Sequence, residues 1–195
     1  MNVANSTEYS AHIFDCDGTL TDSMLLHAVA WTRTMSRYDI EFTRERCYSM
    51  GGMPTAKIIE ILATENGMTL DAVAISEEKE AEFFLAIKQL QPVAYTVNLV
   101  RKFVKAGVPI SVASGSTRPS VDLQLEQIGL HGVFDIIVTA EDTERHKPEP
   151  DVFLKAAQLM GIAPEKCLVY EDSDFGIQAA ESAGMGWIDV RTVQS

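Results

Sequence analysis

Two periodicities divide the chain. Short, nearly uninterrupted apolar runs occur at 11–15 (AHIFD), 108–113 (VPISVA), 133–139 (VFDIIVT), 166–170 (KCLVY) and 187–190. Each is too short for a helix, and together they predict buried strands. From residue 93 onward they alternate with stretches whose apolar residues fall three or four apart. Val97, Val100 and Val104 mark a helix over 96–106 closed by Gly107, and Val121, Leu125 and Ile128 mark one over 121–128 closed by Gly129. Two more are expected over 151–160, closed by Gly161, and over 177–183. Strict alternation of apolar strands with helices predicts an α/β fold, a Rossmann-like parallel sheet with helices on both faces.

Residues 23–91 break the rhythm. Helical patterns cover 24–38, 54–66 with Pro54 suited to a first turn, and 76–90 opened by Ser76, Glu77 and Glu78, and nothing there reads as a strand. The expected organisation is therefore a core of 1–22 and 92–195, with an all-helical cap of 23–91 inserted after the first strand.

Composition narrows the class. The chain has 195 residues, 46% apolar and 23% charged, as in an ordinary globular protein. Its 16 basic and 28 acidic side chains leave a charge of −12 without any Lys/Arg cluster, which argues against nucleic acid or an anionic membrane as partner. Seven basic and ten acidic residues in the cap leave it at −3 and the core at −9. Cys16, Cys47 and Cys167 are widely spaced, with no C-x-x-C pair, so a reducing cytoplasm is expected. The first ten residues contain no basic residue and no apolar segment of the kind that directs secretion, and no apolar run is long enough to span a membrane.

In doubly wound folds ligands bind beyond the carboxyl ends of the strands, and four of those ends are polar here. After the first strand come Asp15, Asp17, Gly18 and Thr19; after the second, Ser114, Gly115 and Ser116; after the third, a loop with Lys147 and Pro148; after the fourth, Glu171, Asp172, Ser173 and Asp174. Asp15 and Asp17 share one side of an extended strand end. If Glu171 and Asp172 lie on a neighbouring strand, four carboxylates converge, and two of them about 4 Å apart repel by about 4 kcal/mol at an effective dielectric of 20. Such a cluster needs a cation. Oxygen donors without a His or Cys pair point to Mg²⁺. An EF-hand is excluded, because its glycine and glutamate positions are occupied by Leu20 and Leu26. The serines at a helix start and Lys147 suit a phosphate.

The ordered set Phe14-Asp15-Cys16-Asp17-Gly18-Thr19-Leu20, Ser114, Lys147-Pro148-Glu149-Pro150-Asp151 and Glu171-Asp172-Ser173-Asp174-Phe175-Gly176 resembles the four motifs of the haloacid dehalogenase-like hydrolase superfamily, over essentially the whole chain. The helical insertion resembles the cap of its β-phosphoglucomutase-like branch. The resemblance implies Asp15 as the nucleophile that forms an aspartyl phosphate, and Asp17 as general acid and then base with a raised pKa. It implies Mg²⁺ held by Asp15, the Asp17 backbone carbonyl and Asp172, with Glu171 acting through a water. Ser114, Gly115 and Lys147 would hold the phosphoryl group.

Within the superfamily, Asp17 points to phosphorus rather than carbon chemistry. His27 matches a hinge-region histidine of the mutase relatives, and Ser23 and Trp31 share its helix. His27 reads equally as a buried structural histidine, and Trp31 as a packing aromatic. A mutase places an Arg in the cap loop to hold a second phosphate. Here that position falls at about Thr55, with Lys57 one turn further as a substitute. Gly52 to Ile58, together with 172–180 and 189–191, looks more like bacterial sugar-phosphate phosphatases of the fructose-1-phosphatase and 6-phosphogluconate phosphatase type. The expected substrate is a small phosphorylated sugar or sugar acid. A β-phosphoglucomutase-type phosphomutase and a non-catalytic sugar-phosphate-binding module are the alternatives. Oligomeric state is left open, and a monomer is compatible with the sequence.

Overall fold

The computed structural model of the protein describes residues 8–193, so most of the amino-terminal segment examined for a secretion signal lies outside the described residues. Strand β1 (Ala11–Phe14) is followed by four helices, α1 (Met24–Ser36), α2 (Arg44–Ser49), α3 (Thr55–Asn66) and α4 (Ala72–Ala86). The chain then alternates through α5 (Ala94–Ala106), β2 (Ile110–Ala113), α6 (Arg118–Gln127), β3 (Ile137–Val138), α7 (Asp151–Met160), β4 (Cys167–Glu171), α8 (Asp174–Ser182) and β5 (Gly186–Asp189). The five strands form one parallel sheet in the order β3-β2-β1-β4-β5. The chain thus builds outward from β1 to one edge, then returns to build the other. The gap between the carboxyl ends of β1 and β4 is the switch point where such sheets bind ligands.

Both faces of β1 are buried, which explains its continuous apolar pattern. Phe14 joins Leu168, Tyr170 and Val100 on one face, whereas Ala11 and Ile13 join Val169, Phe153 and Ala180 on the other. The Phe14 and Tyr170 rings stack with centroids 4.6 Å apart, fixing β1 beside β4 one residue before Asp15 and Glu171. Helices α1 to α3 enclose a third apolar cluster around Trp31, Met35, Phe42, Ile59 and Leu62, to which α4 contributes Ile75. These four helices form the insertion between β1 and α5.

Several boundaries differ from the sequence reading, each for a local reason. Helix α4 starts a turn before Ser76, because the Asp71 carboxylate accepts from the Val73 and Ala74 amides at 3.1 Å and caps it. Helix α2 was not expected; in six residues it buries only Cys47, too little for a periodicity, although Thr43 caps it by accepting from the Arg46 amide. The run over 133–139 pairs with β2 only at Ile137 and Val138, while Phe134 turns into the core.

His12 is buried in β1, stacked on Phe103 with its Nδ1 3.3 Å from the Tyr170 hydroxyl. Burial lowers its pKa from 6.5 to about 4. As pH falls through 6.5, the unfolded chain binds a proton that the folded chain does not take up until about pH 4, so stability declines across this window. The contribution between pH 7 and 5 is about 2 kcal/mol. Urea unfolding of wild type and His12→Gln should therefore show a shallower pH slope in the variant; equal slopes would contradict the assignment.

Candidate active site

The carboxyl ends of β1 and β4 bring Asp15, Glu171 and Asp172 together, with one oxygen from each within 4.8 Å of the others. Lys147, in the loop after β3, reaches between them. Its Nζ donates to Asp15 Oδ1 at 2.6 Å, Glu171 Oε2 at 2.7 Å and the Ala113 carbonyl at 3.3 Å. Burial opposes the Lys147 charge, but Asp15 and Glu171 outweigh it and hold the pKa above the ordinary lysine value. The second oxygen of Glu171 accepts from the Asp172 and Ser173 amides and the Ser173 hydroxyl at 2.9–3.0 Å, which fixes the carboxylate at the start of α8. Asp172 in turn accepts from Thr19 Oγ1 at 3.1 Å. Gly18, with φ +79°, lies so close to Asp172 that a Cβ there would run into the carboxylate.

Burial pushes the pKa of both Asp15 and Asp172 well up, and the Glu171 charge adds to it. Three carboxylates against one ammonium leave an excess of two negative charges if all are ionised. This all-oxygen set fits a hard divalent cation, which would reverse those shifts.

Asp17 stands apart from the trio through its side chain. Oδ1 accepts from Ser23 Oγ at 2.7 Å, His27 Nε2 at 2.6 Å and Gln124 Nε2 at 2.9 Å, and Oδ2 accepts from Ser116 Oγ at 2.6 Å. Ser23 occupies the N-cap position of α1, yet its hydroxyl turns to Asp17 instead of capping the helix. Burial alone would raise the Asp17 pKa; His27 and the hydrogen bonds from Ser116 and Ser23 overcome it and hold the carboxyl well below the usual range. This corrects the expectation of a raised value. His27 is itself pushed below its ordinary value, by burial first and then by the Lys79 ammonium. Because Lys79 Nζ donates to Nδ1 at 2.9 Å, the ring carries its proton on Nε2 and donates it to Asp17. Phe83 stacks on the His27 ring at 4.0 Å and fixes its plane.

Sequence reasoning missed Lys79 and Gln124, although each left a signal. Lys79 follows Ile75 and precedes Phe83 at four-residue spacing, and Gln124 lies between Val121 and Leu125, so both are polar residues on the buried stripe of a helix. Gln124 is held in turn by Thr21 Oγ1, which donates to its Oε1 at 2.6 Å.

Of the other expected residues, Ser114 is buried, and its Oγ accepts from the Ser116 amide at 3.0 Å. Gly115 meets the cap: a Cβ there would collide with the Gly52 carbonyl. Gly52 also packs against Ser173 and Lys147. Trp31 stacks on Phe42 and lines the cavity beneath the cap. Lys57 does not reach the site; it points to solvent and pairs with Glu60 at 3.1 Å. The cavity measures about 50 Å³, with Asp17, His27, Lys79 and Ser116 on its polar side. Met24, Trp31, Cys47, Met50, Met53 and Ile58 form an apolar wall. This volume is far below the roughly 300–1,000 Å³ of pockets that enclose a drug-sized ligand.

The family model described as haloacid dehalogenase-like hydrolase matches residues 12–190. The chain belongs to the haloacid dehalogenase-like hydrolases. This hydrolase is 36% identical over 184 residues to the fructose-1-phosphate phosphatase YqaB of Escherichia coli K12, covering 94% of this chain and 97% of that protein. It is 28% identical over 184 residues to the beta-phosphoglucomutase of Bacillus subtilis, covering 90% and 80%. A crystal structure of a hydrolase from Pseudomonas syringae superposes with a TM-score of 0.84 at 27% identity, over 91% of this chain and 83% of that one.

The contact of Gly115 with Gly52 holds the cap loop on the core of this hydrolase, with Cys47 buried beneath it. Gly115→Ala should keep the far-UV circular dichroism of wild type while labelling of Cys47 by a thiol reagent accelerates severalfold, read by peptide mapping. Unchanged labelling would show that the loop closes without this contact.

Proposed function

We propose that this hydrolase is a Mg²⁺-dependent phosphatase that cleaves small sugar phosphates, of the fructose 1-phosphate or 6-phosphogluconate type, through an aspartyl-phosphate intermediate. The observation that carries the reading is the division of labour between Asp15, pinned by Lys147 beside Glu171, and Asp17, held separately by four side-chain donors. Asp15, Asp172 and the Asp17 backbone carbonyl would hold the ion, and Glu171 would act through a coordinated water. Bound there, Mg²⁺ neutralises the carboxylates and the phosphoryl oxygens.

The chain's own residues perform the steps. The Asp15 carboxylate attacks phosphorus as the ester P–O bond breaks, and Lys147, with Ser114 and the Gly115 backbone, steadies the phosphoryl oxygens. The departing oxygen takes a proton from Asp17. Water then attacks the aspartyl phosphate, gives its proton to Asp17, and releases phosphate. Asp17 rests ionised, which suits the second step. A phosphate dianion brought beside it raises its pKa and favours the protonated form for the first. His27 and Lys79 keep the carboxylate aimed.

Residues 23–91 act as a cap that opens for substrate and closes over it against a core of 1–22 and 92–195, so that cap motion contributes to turnover. The phosphatase is favoured over the mutase because Lys57, the candidate second-phosphate ligand, points to solvent. Three free, buried cysteines suit a reducing compartment such as the cytoplasm. Among the described residues no helix is long and apolar enough to cross a membrane.

Phosphate release from fructose 1-phosphate should vanish in Asp15→Asn; activity retained in that variant would sink the mechanism. EDTA should abolish turnover of wild type and Mg²⁺ restore it. His27→Ala should lower kcat by about 10²-fold, the scale of a positioned proton-transfer group, with a smaller effect on KM. A loss confined to KM would assign His27 to substrate binding instead.

A further inference from the structure

Two carboxylates, Glu80 of the inserted helices and Glu141 of the core, meet at the start of α6 beside the cavity-lining Ser116. Glu80, the residue after Lys79 on α4, reaches from the cap to the core, where Thr117 Oγ1 donates to its two oxygens at 3.2 and 3.0 Å. Thr117 follows Ser116, which lines the cavity and donates to Asp17. Glu141, from the loop after β3, accepts from the Arg118 amide at 3.2 and 3.3 Å and so takes up a free N–H group at the start of α6. The helix start that would otherwise favour an anion is already served by carboxylates.

One cation offsets them in part. Lys79 is the one lysine or arginine lining the cavity, and its ammonium donates to His27 Nδ1. The other cap cations turn outward: Arg33 and Arg37 to Glu82, Arg46 to Glu65 and Lys57 to Glu60, while Arg44 and Lys88 are exposed. The remaining wall of the cavity is apolar.

We propose that Glu80 is a specificity-determining residue: held on Thr117 at the cap–core seam, its carboxylate restricts this phosphatase to monophosphate esters whose far end is uncharged, and rejects bisphosphates and sugar-acid phosphates. The inference rests on the phosphatase reading and narrows its substrate class to neutral sugar and polyol monophosphates. Like charges brought together in a partly desolvated site are strongly disfavoured. A second anionic group reaching this seam would meet Glu80 and Glu141, with Lys79 already committed to His27.

The test is kcat/KM for phosphate release from fructose 1-phosphate, 6-phosphogluconate and fructose 1,6-bisphosphate by the Mg²⁺-loaded full chain. Wild type should prefer fructose 1-phosphate over either anionic-tailed substrate by at least about tenfold, a difference of about 1.4 kcal/mol. Glu80→Gln should shrink that preference several-fold, and Glu80→Lys should shrink it further or reverse it. Because the readout is a ratio within one protein, a general loss of activity or stability in a variant does not mimic it. In wild type, raising ionic strength should also narrow the preference, since salt screens the repulsion. Equal use of all three substrates by wild type, or a preference unchanged in both variants, would overturn the role of Glu80 while leaving the phosphatase intact. Absence of phosphate release from all three would overturn the phosphatase reading and this inference with it.

Discussion

Lys147 lies where β1 and β4 end side by side, with its ammonium 2.6 Å from Asp15 and 2.7 Å from Glu171. Parallel pairing of these strands forces the two carboxylates together, and almost no solvent reaches either. A buried charge without a partner costs several kcal/mol, so this arrangement depends on an ammonium reaching the same point from a third element. The amide groups at the start of α8 complete the neutralisation by serving the other oxygen of Glu171. What remains is a site still short of positive charge, whose oxygen donors fit a divalent cation. The acidity of the whole chain and the demand of the site for a cation are therefore compatible, because the positive charge is local and buried rather than spread over the surface.

The second organising feature is the shell around Asp17. Two of its donors, Ser23 and His27, come from the first helix of the cap, and two, Ser116 and Gln124, come from the core. A single carboxylate is thus fixed by both parts of the molecule, and its electrostatic state depends on how they meet. Lys79 extends that dependence to α4. The same closure brings the Gly52 carbonyl against Gly115 and Glu80 against Thr117, so the loop geometry and the surroundings of Asp17 are set together.

Most of the framework was legible because it rests on strong local patterns. Continuous apolar runs required strands buried on both faces, glycines closed the helices, and an interval without strands marked the inserted helices. Boundaries slipped where side-chain caps outweighed periodicity, as at Asp71, and helix α2 escaped because it buries a single residue. The four polar strand ends were also readable, since a parallel sheet presents all such ends on one rim. Lys57 misled because spacing along a helix does not say which face turns inward, and its Glu60 partner holds it in solvent.

By itself, the sequence determined the sheet-and-helix alternation, the inserted helices and the identity of the polar residues at the rim, because each follows from neighbours a few positions away. Only the tertiary structure decided how those residues are divided. It joined Asp15, Glu171 and Lys147 across 156 residues of chain and separated the side chain of Asp17 into its own hydrogen-bonded shell. It also depressed the Asp17 pKa, where the motif alone suggested a raised one. It brought Gln124 to Asp17 and Lys79 to His27 as well. The physical reason is the same in each case: burial, charge compensation and hydrogen bonding are set by which distant groups share a low-dielectric space, and no local spacing encodes that.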